Sequence, residues 1–119
     1  MSTSEATKHI VMSYFESWHE PSDFELMRTF LADDAFFDAG FFSIRGADKF
    51  VEMLKATESP WKDITLLGSI FTDHSASLMY SGTDKNTGIS YRVGEYIELA
   101  NSKIIKVESA ISVLPNNNE

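Results

Sequence analysis

The sequence predicts a single α+β domain, with helices in its first half and antiparallel strands in its second half. Apolar residues recur mainly with the 3.6-residue period of helices before Trp61, and with the two-residue period of strands after it. A chain of 119 residues has the length of one domain and can bury a core of its own. We therefore expect one domain over residues 1–119, with a disordered polar tail at residues 115–119.

Two helices open the predicted domain. The first is expected over Thr3–Trp18, where Ser2 and Glu5 match a capping box and the apolar residues form one stripe. The second begins at a similar box, Ser22 with Glu25, and carries apolar residues up to Leu31.

The Asp33-Asp34 pair is expected to end the second helix. Two short aromatic strands, Ala35–Ala39 and Phe41–Arg45, follow it on either side of Gly40. The third helix is predicted from Gly46 onwards, with an apolar face that includes Phe50 and Leu54, and it closes before Pro60.

Long strands are predicted for the rest of the chain. The first runs from Trp61 to a turn at Asp73-His74, and a tight turn at Asn101-Ser102 joins the last two. The remaining strands are Ala76–Ser81, Ile89–Leu99 and Lys103–Val113. Such a sheet has to bury one face against the helices, and a curled sheet encloses a cavity on its concave side.

Composition excludes several classes of function. The net charge is −8 and the Lys and Arg residues are scattered, so we expect neither a nucleic-acid partner nor binding to an anionic membrane. The absence of Cys excludes thiolate chemistry and fits a cytoplasmic location. His9, His19 and His74 have no metal-ligand spacing, and no Gly-rich phosphate loop occurs, so we expect no metal and no cofactor.

Two carboxyl groups are predicted to lie in apolar surroundings. Glu95 alternates in phase with Val93 and Ile97 on a predicted strand, and burial there should raise the pKa of its carboxyl group. A neutral acid can donate a hydrogen bond to an oxyanion. Asp38 lies between Phe37 and Ala39, where a carboxylate is suited to act as a general base.

The order of these elements resembles the nuclear-transport-factor-2-like (NTF2-like) superfamily, which includes SnoaL-like cyclases and ketosteroid isomerases. The resemblance covers about residues 6–113. Four features carry it: Tyr14-Phe15 in the first helix, the run from Phe30 to Ala35, Arg45-Gly46 before Phe50-Val51, and the last two strands around Glu95–Leu99 and Lys103–Val107.

This resemblance implies a cystatin-like cone, in which three N-terminal helices pack on a curved sheet around an apolar pocket. It further implies a small hydrophobic ligand and a homodimer formed through the sheet. By analogy with ketosteroid isomerases, Asp38 is the candidate base, although it falls one residue early, and Tyr14 and Glu95 are the candidate hydrogen-bond donors. The residues expected to line the pocket are Trp18, Phe30, Phe42, Phe50, Leu54 and Ile97.

Several alternatives stay open on the sequence alone. The domain either catalyses proton transfer next to a carbonyl group, binds a hydrophobic molecule without chemistry, or serves as a dimerisation module whose core is filled by the Phe-rich strands. Tyr14 is otherwise a core residue, Glu95 a salt-bridge partner on the sheet, and Asp38 a cap for the turn before Gly40. A limonene-epoxide-hydrolase type of site is incomplete, because Gly94 stands where the Arg-x-Asp pattern beginning at Arg92 needs a carboxylate.

Overall fold

The computed structural model describes residues 3–57 and 61–115, and it confirms the α+β class. Apart from Pro115, the predicted tail lies outside the described residues, as do Ser2 and Pro60. The elements in chain order are α1 (Ser4–Ser17), α2 (Phe24–Thr29), β1 (Leu31–Asp38), β2 (Ser43–Arg45), α3 (Ala47–Thr57), β3 (Trp61–Phe71), β4 (Ser75–Asp84), β5 (Ser90–Ala100) and β6 (Lys103–Val113).

Helices α1 and α2 use other caps than the sequence predicted. The Thr3 hydroxyl accepts the Ala6 N–H at 3.0 Å, and the Asp23 carboxylate accepts the Leu26 N–H at 3.0 Å. Each cap lies one residue after the serine expected in that role. Thr and Asp accept hydrogen bonds from the free N–H groups of a first turn as Ser does. The local sequence therefore does not decide which of two neighbouring residues caps the helix.

The boundary between α2 and β1 is the largest departure from the predicted elements. Helix α2 ends with Phe30 as its C-cap, and β1 begins at Leu31 instead of Ala35. The Ile104 N–H of β6 donates to the Phe30 carbonyl at 2.8 Å, and Leu31 pairs with Ile104. A partner more than seventy residues away therefore sets this boundary, which local periodicity does not detect.

The strands form one sheet in the order β2-β1-β6-β5-β4-β3. All neighbouring pairs are antiparallel as predicted, except that β1 pairs with β6 in parallel. Parallel neighbours need a long crossover, and the whole chain between β1 and β6 supplies it. The β5–β6 turn is as tight as predicted, with positive φ of 52° at Asn101 and 63° at Ser102.

The sheet is curved and unclosed, and the helices cover its concave face. Strand β3 is irregular in two places, the first beside Asp63, whose φ is 54°, and such irregularities bend a strand. The Thr7 hydroxyl of α1 donates to the Asp73 carbonyl at 2.8 Å and so ties the helix to the end of β3.

The core lies between α1, α2, α3 and the concave face. The largest completely buried side chains are Met27, Leu31, Ile97, Ile104 and Val11. Along β4 every second residue is buried, namely Ala76, Leu78 and Tyr80, as expected for a strand with one covered face. Among the described residues, none of the helices has the length and apolar character needed to cross a lipid bilayer.

Candidate functional site

A cavity of about 290 Å³ lies between the concave face of the sheet and helices α1 and α3. Its helical wall is mostly apolar because each helix presents residues spaced three or four apart. On α3 these are Phe50, Met53, Leu54 and Thr57, and on α1 and its C-cap they are Tyr14 and Trp18.

The cavity has a closed end and an open end along the sheet. Inner-face residues of β6 become more exposed along the strand, from Val107 at 3% through Ile111 at 43% to Val113 at 66%. On neighbouring β5, Ile97 is completely buried opposite Val107. The cavity therefore ends at Ile97 and opens to solvent near Ile111.

A hydrogen-bonded carboxyl group forms the closed end. The Tyr80 hydroxyl of β4 donates to Glu95 Oε2 at 3.0 Å, and the Ser109 hydroxyl of β6 donates to the same oxygen at 3.3 Å. Ser109 lies directly opposite Glu95, whereas Tyr80 is its diagonal neighbour on the other side. Glu95 is thus held from both adjacent strands.

Burial controls the ionisation of this cluster. It raises the pKa of the Glu95 carboxyl group, and the hydrogen bonds from Tyr80 and Ser109 offset that rise only in part. Burial also raises the pKa of the Tyr14 hydroxyl well above its ordinary value, and the nearby Glu95 charge adds to this. The pKa of Tyr80 rises for the same reasons. Both tyrosines consequently remain neutral hydrogen-bond donors at neutral pH.

Among the residues that the structure describes, the second oxygen of Glu95 is without a hydrogen-bond partner. Glu95 Oε1 is buried, and within the described residues no group is hydrogen-bonded to it. Because Oε2 already accepts two hydrogen bonds, the proton of a neutral Glu95 belongs on Oε1. The Tyr14 hydroxyl likewise has no hydrogen bond in the part of the chain that the structure describes. When Glu95 is neutral, the cavity wall therefore offers the O–H groups of Glu95 and Tyr14 as donors to a ligand.

Asp38 borders the cavity, but its carboxylate is engaged in a turn. Its Oδ1 accepts the Gly40 N–H at 2.9 Å, which is the turn-capping role considered above. In the pairing of β1 with β6, Phe37 lies beside Val107 on the concave side, and Asp38 lies beside the exposed Glu108. Phe37 is thus the β1 side chain on the concave face, and Asp38 borders the cavity at the turn that ends the strand.

Most of the residues expected to line the pocket do surround this cavity. Trp18, Phe42, Phe50 and Leu54 line it together with Tyr14, Asp38 and Glu95.

Phe30 and Ile97 lie elsewhere. Ile97 is completely buried in the core, and Phe30 packs against the core as the C-cap of α2. Ile97 is in phase with Glu95, but it lies beyond the closed end, where the helices fill the space.

Several residues that line the site are absent from the sequence-based candidates, among them Tyr80, Ser109 and Trp61. The alternation of β4 would have assigned Tyr80 to the same face as Leu78. Its contact with Glu95 depends on the register between strands, which the sequence does not reveal. Trp61 packs edge-on against Tyr91 at 5.4 Å, near the open end.

Two alternative interpretations can be compared with the geometry. Arg92 is exposed on the convex face with Gly94, away from the cavity, so the epoxide-hydrolase type of site is not assembled here. Phe37 and Phe42 line a cavity of about 290 Å³ and Phe41 is 77% exposed, so the Phe-rich strands do not produce the filled core that the dimerisation-module interpretation requires.

Comparison with known proteins identifies the fold. No protein-family model and no curated protein matches the chain. A Kribbella flavida protein of known structure, provisionally assigned as a ketosteroid isomerase, has a TM-score of 0.84 and 15% identity over 100% of this chain and 87% of that one. An NTF-2 like protein of unknown function from Burkholderia xenovorans has a TM-score of 0.83 and 14% identity, covering 94% and 87% of the two chains. An LEH-like epoxide hydrolase from M. tuberculosis has a TM-score of 0.78 and 16% identity, covering 92% and 84%.

These similarities define the class of fold, a helix-covered curved sheet with a concave pocket. The chain has the NTF2-like fold, and the fold expected from the sequence resemblance is thereby confirmed. At such low identities the similarity extends to the fold alone, because one fold hosts many unrelated activities.

Proposed function

We propose that the protein binds a small, mostly apolar molecule through one carbonyl oxygen, which accepts hydrogen bonds from Glu95 and Tyr14. The observation that carries this proposal is Glu95 Oε1, which is buried at the closed end of an apolar cavity and accepts no hydrogen bond from residues 3–57 or 61–115. An unsatisfied buried polar group costs about 1–3 kcal/mol, and a ligand oxygen would relieve that cost.

A matched pair of ligands tests this binding. Isothermal titration calorimetry would compare 2-tetralone, a neutral ketone, with tetralin, the hydrocarbon of the same shape. We expect the ketone to bind about tenfold more tightly, because tetralin leaves both donors unsatisfied. Equal affinity for the two compounds would contradict a carbonyl-binding site.

Variants of Glu95 assign the preference to the carboxyl group. Glu95→Ala should abolish the preference for the ketone, whereas Glu95→Gln should keep it, because the Gln amide also donates a hydrogen bond. Glu98→Ala is the matched control: Glu98 lies on the same strand and accepts a hydrogen bond from Tyr96 at 3.1 Å, outside the cavity. Loss of the preference in the Glu98 variant would point to a global disturbance.

A catalytic role is the finer form of this proposal, and the position of Asp38 in the cavity wall favours it. The Asp38 carboxylate takes a proton from the carbon next to the bound carbonyl group. The C–H electron pair forms a C=C bond as the carbonyl π pair moves to the oxygen, and hydrogen bonds from Glu95 and Tyr14 stabilise the resulting enolate. Where a second C=C bond is conjugated with this enolate, return of the proton from Asp38 to the far carbon completes an isomerisation and restores the carboxylate. Strands β1 and β5 are separated by β6, so about 10 Å separates the backbones of base and donor, which leaves room for a ligand.

Proton exchange measures this step without knowledge of the natural substrate. In D₂O, the protein should accelerate deuterium incorporation next to the carbonyl group of 2-tetralone, followed by NMR. Asp38→Asn should reduce the rate by about 10²–10⁴-fold while leaving binding intact.

The hydrogen bond from Gly40 to Asp38 favours the other candidate, a binding protein without chemistry. Exchange that is equally fast in the Asp38→Asn variant, or that does not exceed the rate in buffer, would leave binding as the function.

We also propose a homodimer formed through the convex face of the sheet. This face exposes large apolar side chains on adjacent strands, among them Leu67 (49%), Ile70 (69%) and Met79 (47%). Light scattering should give twice the monomer mass, and Ile70→Asp should give the monomer; a monomeric wild-type protein would contradict the proposal.

A cytoplasmic location is proposed from the Cys-free composition, and cell fractionation tests it.

A further inference from the structure

The volume of the cavity limits the size of its ligand. It is about 290 Å³, whereas a cavity of about 150 Å³ accommodates a single benzene ring. By that proportion, the cavity holds about two six-membered rings and falls short of four.

The depth of the cavity supports the same limit independently. Ser109 lies opposite Glu95, and Ile111, already 43% exposed, lies two residues further along β6. Two residues of a strand span about 7 Å, so the wall reaches solvent within that distance of the hydrogen-bonding group. A rigid system of four fused rings would project well beyond it.

The charge of the lining limits the chemistry of the ligand. Among the described residues that line the cavity, Asp38 and Glu95 are acidic, and there is no Lys, Arg or His. A ligand carboxylate would lose its hydration in this apolar space, with no cation to compensate and with acidic groups as neighbours. The surplus of acidic residues over the whole chain, a net charge of −8, adds to the repulsion.

We infer that the cavity is selective for neutral carbonyl compounds or enols of about two fused rings, and that it excludes carboxylates and four-ring compounds. This inference rests on the proposed binding of a carbonyl oxygen at Glu95 and Tyr14. It adds the size and the charge of the molecules accepted.

Titration calorimetry with the wild-type protein tests both limits. The probes are 2-naphthol, 2-naphthoate and a phenol with four fused rings. 2-Naphthol and 2-naphthoate share a ring system but differ in charge. 2-Naphthol and the four-ring phenol share the hydroxyl group but differ in size. We expect 2-naphthol to bind at least about tenfold more tightly than either of the others. An affinity for 2-naphthoate within about threefold of that for 2-naphthol, or equal binding of the four-ring phenol, would overturn the inference.

A charge introduced at the open end provides a second test. Ile111→Lys places a cation where the cavity meets solvent and should shift the ratio of the two affinities towards 2-naphthoate, relative to 2-naphthol, by about fivefold or more. Ser112→Lys, the next residue along the strand and exposed on the convex side, is the matched control and should have a smaller effect. Equal effects of the two variants would show that overall charge, and not the lining, governs selection.

The outcomes separate the inference from the function on which it rests. If 2-naphthol and 2-tetralone both fail to bind, the proposed function fails and the inference falls with it. If 2-naphthol binds in a manner that depends on Glu95 and 2-naphthoate binds equally well, only the selectivity is wrong.

Discussion

The hydrogen bond from Tyr80 to Glu95 should respond to pH in a way that an exposed pair does not. In Tyr80→Phe the donor is lost, and Glu95 Oε2 keeps only the longer hydrogen bond from Ser109 at 3.3 Å. A hydrogen bond to a charged group contributes about 1.5–3 kcal/mol to stability, and one between neutral groups about 0.5–1.5 kcal/mol. The cost of the substitution therefore depends on the ionisation of Glu95.

Urea denaturation of the wild type and of Tyr80→Phe, at about pH 5 and about pH 8, measures this difference. The loss in the free energy of unfolding should be larger at the higher pH, which favours ionised Glu95, and approach about 1.5–3 kcal/mol. At the lower pH, where the raised pKa of Glu95 favours its neutral form, the loss should be smaller and approach about 0.5–1.5 kcal/mol. The small void left by the hydroxyl group affects both measurements equally and cancels in the comparison.

The control pair lies on the other face of the same sheet. Tyr96 donates to Glu98 at 3.1 Å, and Tyr96 is 40% exposed. Tyr96→Phe should change the free energy of unfolding by no more than about 0.5 kcal/mol at either pH. A loss in Tyr80→Phe that is the same at both pH values, or a pH dependence as large in Tyr96→Phe, would refute the assignment of Glu95 as a buried, titrating partner.

Three further substitutions test other features of the structure. Glu95→Gln should raise the free energy of unfolding at neutral pH by more than the roughly 0.5 kcal/mol typical of surface changes. Because the folded-state pKa of Glu95 is raised, the stability due to this group is fully present below its ordinary value of 4.5 and is lost as pH rises through the folded-state pKa. The two proteins should thus become equally stable near pH 4.5, and a variant that is less stable at neutral pH would contradict this. Asp38→Asn retains an oxygen for the Gly40 N–H and should be neutral in urea denaturation, whereas Asp38→Ala should lose about 0.5–1.5 kcal/mol; equal stability of the two variants would show that the turn does not need this bond. Ser102→Gly should raise the midpoint of thermal unfolding, because Ser102 has a φ of 63° and relief of its left-handed strain, about 1–2 kcal/mol, exceeds the roughly 0.5–1 kcal/mol entropy cost of a glycine; a lowered midpoint would contradict a left-handed turn.

The sequence predicts those parts of the fold that depend on local chemistry. The apolar stripe of α1, the turn at Asn101-Ser102 and the strand Lys103–Val113 are found where short-range periodicity and turn preferences indicate them. The phase of Glu95 with Val93 on β5 also follows from alternation within one strand. These features need no knowledge of what packs against them.

Tertiary structure decides the features that depend on register and on distant partners. The start of β1 at Leu31 and its parallel alignment follow from pairing with β6, at the other end of the chain. Tyr80 and Ser109 meet Glu95 only because the registers of β4 and β6 against β5 bring them together.

The cavity itself shows the same division. Alternation predicts that Glu95 and Ile97 share the concave face, but only the packing of the helices makes one a cavity residue and the other a core residue. Asp38 is found at the cavity wall, yet its carboxylate caps a turn, which depends on how the chain reverses at Gly40. The face of the sheet on which a side chain lies is a property of a single strand. The position of the cavity and the hydrogen-bond partners depend on how the helices and strands pack together. The sequence by itself therefore determined the α+β fold and the buried acid, and only the tertiary structure decided which groups surround that acid.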